Sequence, residues 1–358
     1  MDEKIQVLVG SDENCIVGLV ATLTSVAVAC DKTRQLKFNI MNLGFDDSFE
    51  DKIYSFFTRY SNVEINIIKF NTDVVKQLGA REFEGGTHGG THSVYARLFS
   101  ADLLDCDKCI YIDSDILVTK DISELWDIDI DNYAFGAVLD SSKGRGVVDV
   151  DKLSHDCPFE HEDDISNYGY YNSGLLICNL KRWRELNFLK KALELMCKYN
   201  SKITSHDQTI LNFVFRGQIF TLSKEWNYIP WWTRDMKELS NLHFTSKHKP
   251  WHMRLYLPEE KMWHALYNSQ IKPYWNIIKE TQTHKLKNFL YVVRHWLVPA
   301  MMPEIYSFSR RLLRNDTALR RNDDLLQFRA MRKILYFGKV SPKTQRTISK
   351  YCDLLKRV

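Results

Sequence analysis

No stretch of these 358 residues is both long and apolar enough to read as a membrane span. The longest apolar run, Cys15 to Cys30, has Thr and Ser inside it. It falls short of the roughly 20 residues needed to cross a bilayer core. The opening Met-Asp-Glu-Lys leads straight into a strand-like run and lacks the build of a signal peptide. Reduced thiols are therefore expected for the eight cysteines, scattered at 15, 30, 106, 109, 157, 178, 197 and 352. Cys106-x-x-Cys109 invites a zinc or redox reading. No second pair follows at zinc spacing, however, and Cys109 opens an apolar run, so packing is the expected role. There is no internal repeat and no low-complexity tract.

Acidic residues are scarce at the C-terminal end. From Thr281 to Val358 there are 17 Lys/Arg against 5 Asp/Glu, a balance of +12. The first 280 residues hold the other 32 basic and 40 acidic side chains, a balance of −8, so the overall +4 conceals two opposite halves. Such a split suits an acidic catalytic body with a basic tail that seeks an anionic surface. A hydrophobic content of 44% with 13% aromatics is ample for an ordered core.

The stretch that organises the chain is Cys109-Ile-Tyr-Ile-Asp113-Ser114-Asp115-Ile-Leu-Val118. Its apolar run reads as a buried parallel strand, and the two carboxylates fall at that strand's carboxyl end. Open α/β sheets place their ligands there. Two carboxylates one residue apart on extended backbone point the same way and repel unless a cation lies between them. Hard oxygen donors at this spacing suit Mg²⁺ or Mn²⁺, ions that commonly also hold a substrate phosphate. A solvated loop after a strand is the competing reading.

Upstream, Ile5 to Val9 reads as a strand, Cys15 to Ala29 as an apolar helix and Leu36 to Met41 as a strand. Ser48 to Tyr60 follows as a helix and Val63 to Phe70 as a strand, which together make a doubly wound α/β pattern. Asp12 and Asn14 then share a rim with Asp113, as ligand contacts or simply as helix caps. Glu82 to Ser93, with four glycines, reads as a loop able to fold over a ligand. Its His88 and His92 make a poor preformed metal site. Downstream, Ile122 to Trp126 reads as a turn, Ala134 to Leu139 as a strand ending at Asp140, and Ser141 to Tyr168 as a surface insertion. Leu175 to Asn179 is an apolar strand and Leu180 to Tyr199 one amphipathic helix. Ser205 or Asp207 is placed to cap the helix after it. In the tail, Asp324 to Phe337 and the segment after Ser341-Pro342 form basic amphipathic stripes, the second through Ile348, Tyr351 or Cys352, and Leu355. These fit a membrane interface, or packing against the body with the basic face in water.

Six segments in unbroken order resemble family 8 of the retaining glycosyltransferases, of the bacterial lipopolysaccharide galactosyl- and glucosyltransferase kind. They are Ser11-Asp12-Glu13-Asn14, Tyr95-Ala-Arg97-Leu, Cys106 through Asp115, Tyr170-Tyr-Asn172-Ser-Gly174, His206-Asp207-Gln208-Thr-Ile-Leu-Asn212 and His243-x5-Lys249-Pro-Trp251. The resemblance spans about residues 5 to 255. It implies a GT-A fold, a Rossmann-like mixed sheet flanked by helices, placed over residues 1–275, while the charge balance and stripes of the tail mark a basic helical region over 276–358. It implies a UDP-hexose donor, with Asp113, Asp115 and His243 matching the ligands of Mn²⁺ (or Mg²⁺) and Lys249 adding charge to the pyrophosphate. Asp12 and Asn14 match positions that hold the uridine. Arg97, Asp140, Asn172, Asp207 and Gln208 match the lining of the donor sugar, and Ser114 and Ser246 join the donor-binding set. Gln208 stands where a covalent route would need its nucleophile, but an amide is a poor one. Same-face attack is therefore expected, with Gln208 stabilising positive charge on the sugar. Asp207 is chemically the better nucleophile but matches a sugar-hydroxyl contact. The chain departs from the family at Thr209 (an acid there), Cys15 (an aromatic) and Ser246 (a glycine).

Two other classes compete. A DxD phosphatase would need its Asp after the first strand of its domain, and three strands precede Asp113. A non-catalytic, membrane-associated nucleotide-sugar binding module would be expected to lose metal ligands first, yet all three are present. Nucleic-acid binding finds no recognition motif. The expected partners are a UDP-sugar, a saccharide or glycolipid acceptor, and an anionic membrane on the cytoplasmic side.

Overall fold

Apolar runs become strands and the polar residues between them become turns and caps. The computed structural model describes residues 3–77, 93–140, 169–199, 203, 205–230, 236, 238–245, 249–251, 259–281 and 341–356. The loop at 82–92 with His88 and His92, the insertion at 141–168, Ser246 and the stripe at 324–337 lie outside them. In chain order the strands are β1 (Ile5–Ser11), β2 (Leu36–Asn42), β3 (Val63–Lys69), β4 (Lys108–Ile112), β5 (Ile116–Leu117), β6 (Phe135–Leu139), β7 (Tyr171–Asn179), β8 (Ile219–Thr221) and β9 (Leu242–His243). Seven of them make one sheet in the order β3-β2-β1-β4-β7-β6-β8. Flanked by helices, this mixed sheet is the expected GT-A fold.

The sheet is parallel from β3 through β4, with Val7 opposite Ile110 across the β1–β4 pair. Beyond β4 a single strand runs the other way. β7 runs antiparallel to both β4 and β6, while β8 is parallel to β6. The expectation of a purely parallel setting for the Asp113 strand is thus half right. An apolar run tells of burial on both faces, and β4 is buried from Cys109 to Ile112, but burial does not reveal the direction of a neighbour.

The helix Ile16–Ala29 is buried on almost every side, as its near-continuous apolar sequence demands. The helix expected over Leu180 to Tyr199 is two helices, Leu180–Glu185 and Phe188–Tyr199. They part at Asn187, whose φ of 50° lies in the left-handed region that asparagine tolerates. The break lets Trp183 and Phe188 meet at 4.5 Å between ring centroids, and Phe188 stack on Phe215 at 4.6 Å. Ile122–Trp126 is a helical turn, with the Asp121 carboxylate accepting from Ser123 N, rather than an open turn.

Cys109 is buried opposite Cys178 across the β4–β7 pair, and neither forms a disulfide. Burial pushes the Cys106 thiol up to about 12, which opposes the thiolate that zinc or redox chemistry needs. Packing is their role.

The chain gathers into two compact units, one formed by Met1–Tyr228 with Leu239–Lys247, the other by Ile229–Glu238 with His248–Arg357. In the second, the helix Glu260–Leu266 packs against the helix Pro342–Leu355. Thr344, Thr347, Ile348, Tyr351 and Leu355 of the latter are buried, while Lys343, Arg346 and Lys350 are exposed. The stripe after Ser341-Pro342 is therefore covered by protein, with its basic face in water.

Candidate active site

The single reversed strand of the sheet builds the site. Because β7 runs opposite to β4, the beginning of β7 (Tyr171-Asn172-Ser173-Gly174) meets the carboxyl end of β4, and Asp113 N donates to Gly174 O at 2.7 Å. The chain then turns through Ser114 into β5, which pairs antiparallel with β9 and sets Ile116 opposite His243. Phe244 N closes this pair onto Asp115 O at 3.0 Å. A histidine 128 residues beyond Asp115 in the sequence thus arrives beside the acidic pair. Its Nε2 lies 3.2 Å from Asp115 Oδ1 and 3.7 Å from Asp113 Oδ2. One ligand atom from each of the three residues falls within 4.8 Å of the others, a cluster that could hold a metal ion.

Arg97 is the buried cation beneath this cluster. Its Nη2 donates to Asp113 Oδ1 at 2.9 Å, its Nε lies 3.0 Å from Asp207 Oδ2, and its Nη1 donates to Ser173 O at 2.5 Å. The guanidinium also stacks 4.3 Å from the Tyr111 ring centroid, and the Tyr111 hydroxyl donates to the same Asp113 oxygen at 2.9 Å. Burial alone would lower the Arg97 pKa, but the flanking Asp113 and Asp207 carboxylates outweigh it and hold it raised. Burial raises both Asp113 and Asp207, with Arg97 as the main opposing influence. Arg97, matched by sequence to the donor sugar, spends these donors on the site's own carboxylates.

Asp207 and Gln208 open the helix His206–Val214. The Ser205 side chain makes no cap hydrogen bond, and the Asp207 carboxylate accepts instead from Ser173 Oγ at 2.9 Å. Of the two candidates for the cap, Ser205 is therefore not one, while the Asp207 carboxylate also accepts from the backbone N–H groups of Asp207 and Gln208 at the helix start. Gln208 is fixed in polarity. Its Oε1 accepts from Ser173 N at 3.1 Å, and its Nε2 donates to Asp140 Oδ2 at 2.8 Å. Thr209, standing where the family has an acid, accepts from Ser205 N at 3.1 Å and lies 3.3 Å from the Tyr170 hydroxyl. Burial pushes that phenol up to about 12.

Sequence reasoning missed Asn227. It follows the 3-10 turn Lys224–Trp226, and the next residue, Tyr228, bridges to Leu242. Asn227 Oδ1 lies 2.9 Å from His243 Nδ1, and its Nδ2 donates to Asn172 Oδ1 at 2.7 Å. The available signal was a polar residue between two aromatics, Trp226 and Tyr228. Gly174 closes one of the six segments, but nothing in the sequence shows why glycine is needed there. A Cβ at that position would lie 2.2 Å from His243 Cε1.

Of the remaining expected residues, Asp12 sits at the end of β1 on the same rim, and its Oδ1 accepts from Cys15 N at 3.1 Å, so it does act as a cap. Asn14 is exposed beside it and Ser114 is half-buried between the two carboxylates. Lys249 belongs to the second unit.

Residues 6–254 match the profile of glycosyl transferase family 8, most of the chain's length. The chain belongs to glycosyltransferase family 8. It is 31% identical over 173 residues to a putative glycosyltransferase of Haemophilus influenzae, covering 45% of this chain and about half (49%) of that protein. It is 27% identical over 286 residues to the lipopolysaccharide 1,2-glucosyltransferase of Escherichia coli K12, covering 75% and 80%. Among solved structures it resembles the galactosyltransferase LgtC in complex with donor and acceptor sugar analogues. The TM-score is 0.64 at 22% identity, covering 75% of this chain and 96% of that one, which shows a shared fold.

Proposed function

We propose that this family 8 enzyme transfers a hexose, galactose or glucose, from a UDP-sugar to a saccharide acceptor of lipopolysaccharide or another cell-surface glycan, with retention and with Mn²⁺. The observation that carries the reading is the convergence of Asp113, Asp115 and His243. Two carboxylates and an imidazole fit a divalent cation, with the oxygens favouring Mn²⁺ or Mg²⁺ and the nitrogen favouring the transition metal of the two. A cation held there supplies positive charge for a diphosphate leaving group. Two relatives speak for the substrates: the Escherichia coli protein named for lipopolysaccharide glucosyl transfer and LgtC with its sugar analogues.

The protein's own groups favour same-face attack. The Gln208 carbonyl is engaged by Ser173 N, and Asp207 Oδ2 by Arg97 and Ser173 Oγ, so neither residue is poised as a nucleophile. The Gln208 amide is instead held as a fixed dipole against Asp140, beside the rim where the donor sugar is expected. Asp12, Asn14, Ser114, Asn172 and Ser246 complete the proposed donor site, and Lys249 is proposed as a donor contact on its sequence match alone. The division into a transferase domain over 1–275 and a basic region over 276–358 belongs to the same proposal. So does cytoplasmic-leaflet binding by the basic region, which now rests on residues before the buried stripe of Pro342–Leu355. No helix among the described residues is long and apolar enough to cross a membrane.

The test is UDP release from a panel of UDP-sugars, with Mn²⁺ and with chelator, for the wild type and Asp115→Asn. Release from one UDP-hexose that requires Mn²⁺ is expected. Asp115→Asn should lower it ~100-fold or more, since several kcal/mol of charge stabilisation are at stake, with an unchanged circular dichroism spectrum. Release indifferent to chelator would overturn the reading.

A further inference from the structure

We infer that Asn227 is a positioning residue that locks His243 with its Nδ1 protonated and its Nε2 lone pair aimed at the Asp113–Asp115 pair. The inference rests on the metal reading above, but its starting point is a backbone amide. Gly174 N can only donate, and it donates to Asn172 Oδ1 at 3.0 Å. That fixes which end of the Asn172 amide faces inward. Asn172 Oδ1 also lies 2.7 Å from the Asn227 amide, so the atom of Asn227 facing it is the donor Nδ2. Asn227 Oδ1 is then left to face His243 Nδ1 at 2.9 Å, and a carbonyl oxygen can only accept. The imidazole must supply the proton from Nδ1. One peptide N–H thus sets the tautomer of a histidine two side chains away.

The backbone reinforces the lock. His243 N donates to Tyr228 O at 2.8 Å, and Tyr228 N donates to Asn241 O at 2.8 Å, so Asn227 and His243 ride on adjacent extended segments. Both side chains are buried, and the ring sits so close to Gly174 that a Cβ there would collide with it. An imidazole held this way turns Nε2 toward two carboxylates at 3.2 and 3.7 Å, where a cation between them would take its lone pair.

The test uses the full chain and Mn²⁺ binding by calorimetry, with thermal melting as the control for folding. Asn227→Leu removes the acceptor at near-constant volume and should weaken Mn²⁺ ~10–100-fold. Asn227→Asp keeps an acceptor for Nδ1 but loses the donor to Asn172 Oδ1, so it should recover part of that loss. A leucine variant that binds Mn²⁺ like the wild type, or an aspartate variant as weak as the leucine one, would overturn the inference. A third measurement needs no variant at Asn227. In ¹⁵N–¹H long-range correlation spectra of the Zn²⁺-loaded protein, with His243 assigned by its loss in His243→Gln, the ring should show a proton on Nδ1 alone. Any other protonation pattern would overturn the inference. Wild-type protein that binds neither ion would instead sink the metal reading, and this inference with it.

Discussion

Arg97 Nη2 and Asp113 Oδ1 are joined by a 2.9 Å charge-assisted hydrogen bond beneath the acidic rim, with the Arg97 side chain only 6% exposed. That bond divides the work of Asp113. One oxygen answers to Arg97 and Tyr111 inside the protein, and the other faces His243 at the cation site. Through its Nε the same guanidinium holds Asp207, at the start of the helix that carries Gln208. With Asp113, Asp115 and Asp207 ionised, one guanidinium leaves two negative charges, the complement of a divalent cation.

Replacing Arg97 with leucine strands two buried carboxylates without their cation. The expected loss is ~3–5 kcal/mol of folding stability, the usual cost of removing one partner from a buried ionic cluster. Arg97→Lys keeps the charge but not the fork that reaches both carboxylates, so it should recover only part of it. Urea denaturation of the two variants checks this. A leucine variant as stable as the wild type would mean that Asp113 and Asp207 are protonated in the fold.

Gly174→Ala tests the close approach at the histidine. The added Cβ would meet His243 Cε1 at 2.2 Å and Nδ1 at 2.7 Å, so the ring must move. Overpacking of this kind costs ~1–3 kcal/mol, and the displaced ligand should weaken Mn²⁺ binding by at least ~10-fold. Gly136→Ala is the control. Its Cβ would meet Ile177 Cγ2 at 2.8 Å in the sheet, so it should destabilise without changing Mn²⁺ affinity. Calorimetry and thermal melting separate the two effects.

How much of this is legible in the sequence follows from the range of the forces involved. Strands β1 to β4 and the two helices between β1 and β3 are written in local apolar periodicity, which locates their ends to within a few residues. Asp113 and Asp115 are legible because a strand ending in carboxylates is a local pattern. The direction of β7 is not, because an apolar run looks the same in either direction. The break at Asn187 is hidden, since asparagine serves equally in a helix and in a left-handed turn. Asn227 leaves almost no trace: its role comes from the Tyr228–Leu242 bridge, a non-local pairing. His243 is placed by resemblance alone, and the β5–β9 pair supplies the physical reason that it reaches Asp115.

The buried stripe of Pro342–Leu355 makes a prediction of its own. Tyr351 is 1% exposed, and its hydroxyl makes no hydrogen bond among the described residues. Tyr351→Ala should cost ~3–5 kcal/mol through the lost ring. Tyr351→Phe should be neutral or stabilising by ~1 kcal/mol, because it removes a buried polar atom that lacks a partner. Melting in buffer free of lipid and detergent is the measurement. If Tyr351→Ala leaves the midpoint unmoved there, the stripe is not packed against protein in solution, and the membrane becomes its place.

Glu259 gives the second unit a pH dependence whose sign can be worked out. Its side chain lies at the start of the helix Glu260–Leu266, and burial raises its carboxyl from 4.5 to about 7, against the pull of a backbone hydrogen bond. A carboxyl whose pKa is higher folded than unfolded binds its proton more tightly in the native state. Its contribution is therefore fully present below about pH 4.5 and is lost as the pH rises through about 7. At about 1.4 kcal/mol for each tenfold difference in proton affinity, the loss is on the order of 3 kcal/mol. Glu259→Gln keeps the shape of the neutral acid and never ionises. It should match the wild type near pH 4 and exceed it by that amount at pH 8, as read from urea midpoints across the range. Parallel pH curves for the two proteins would mean that Glu259 ionises in the fold as freely as in water.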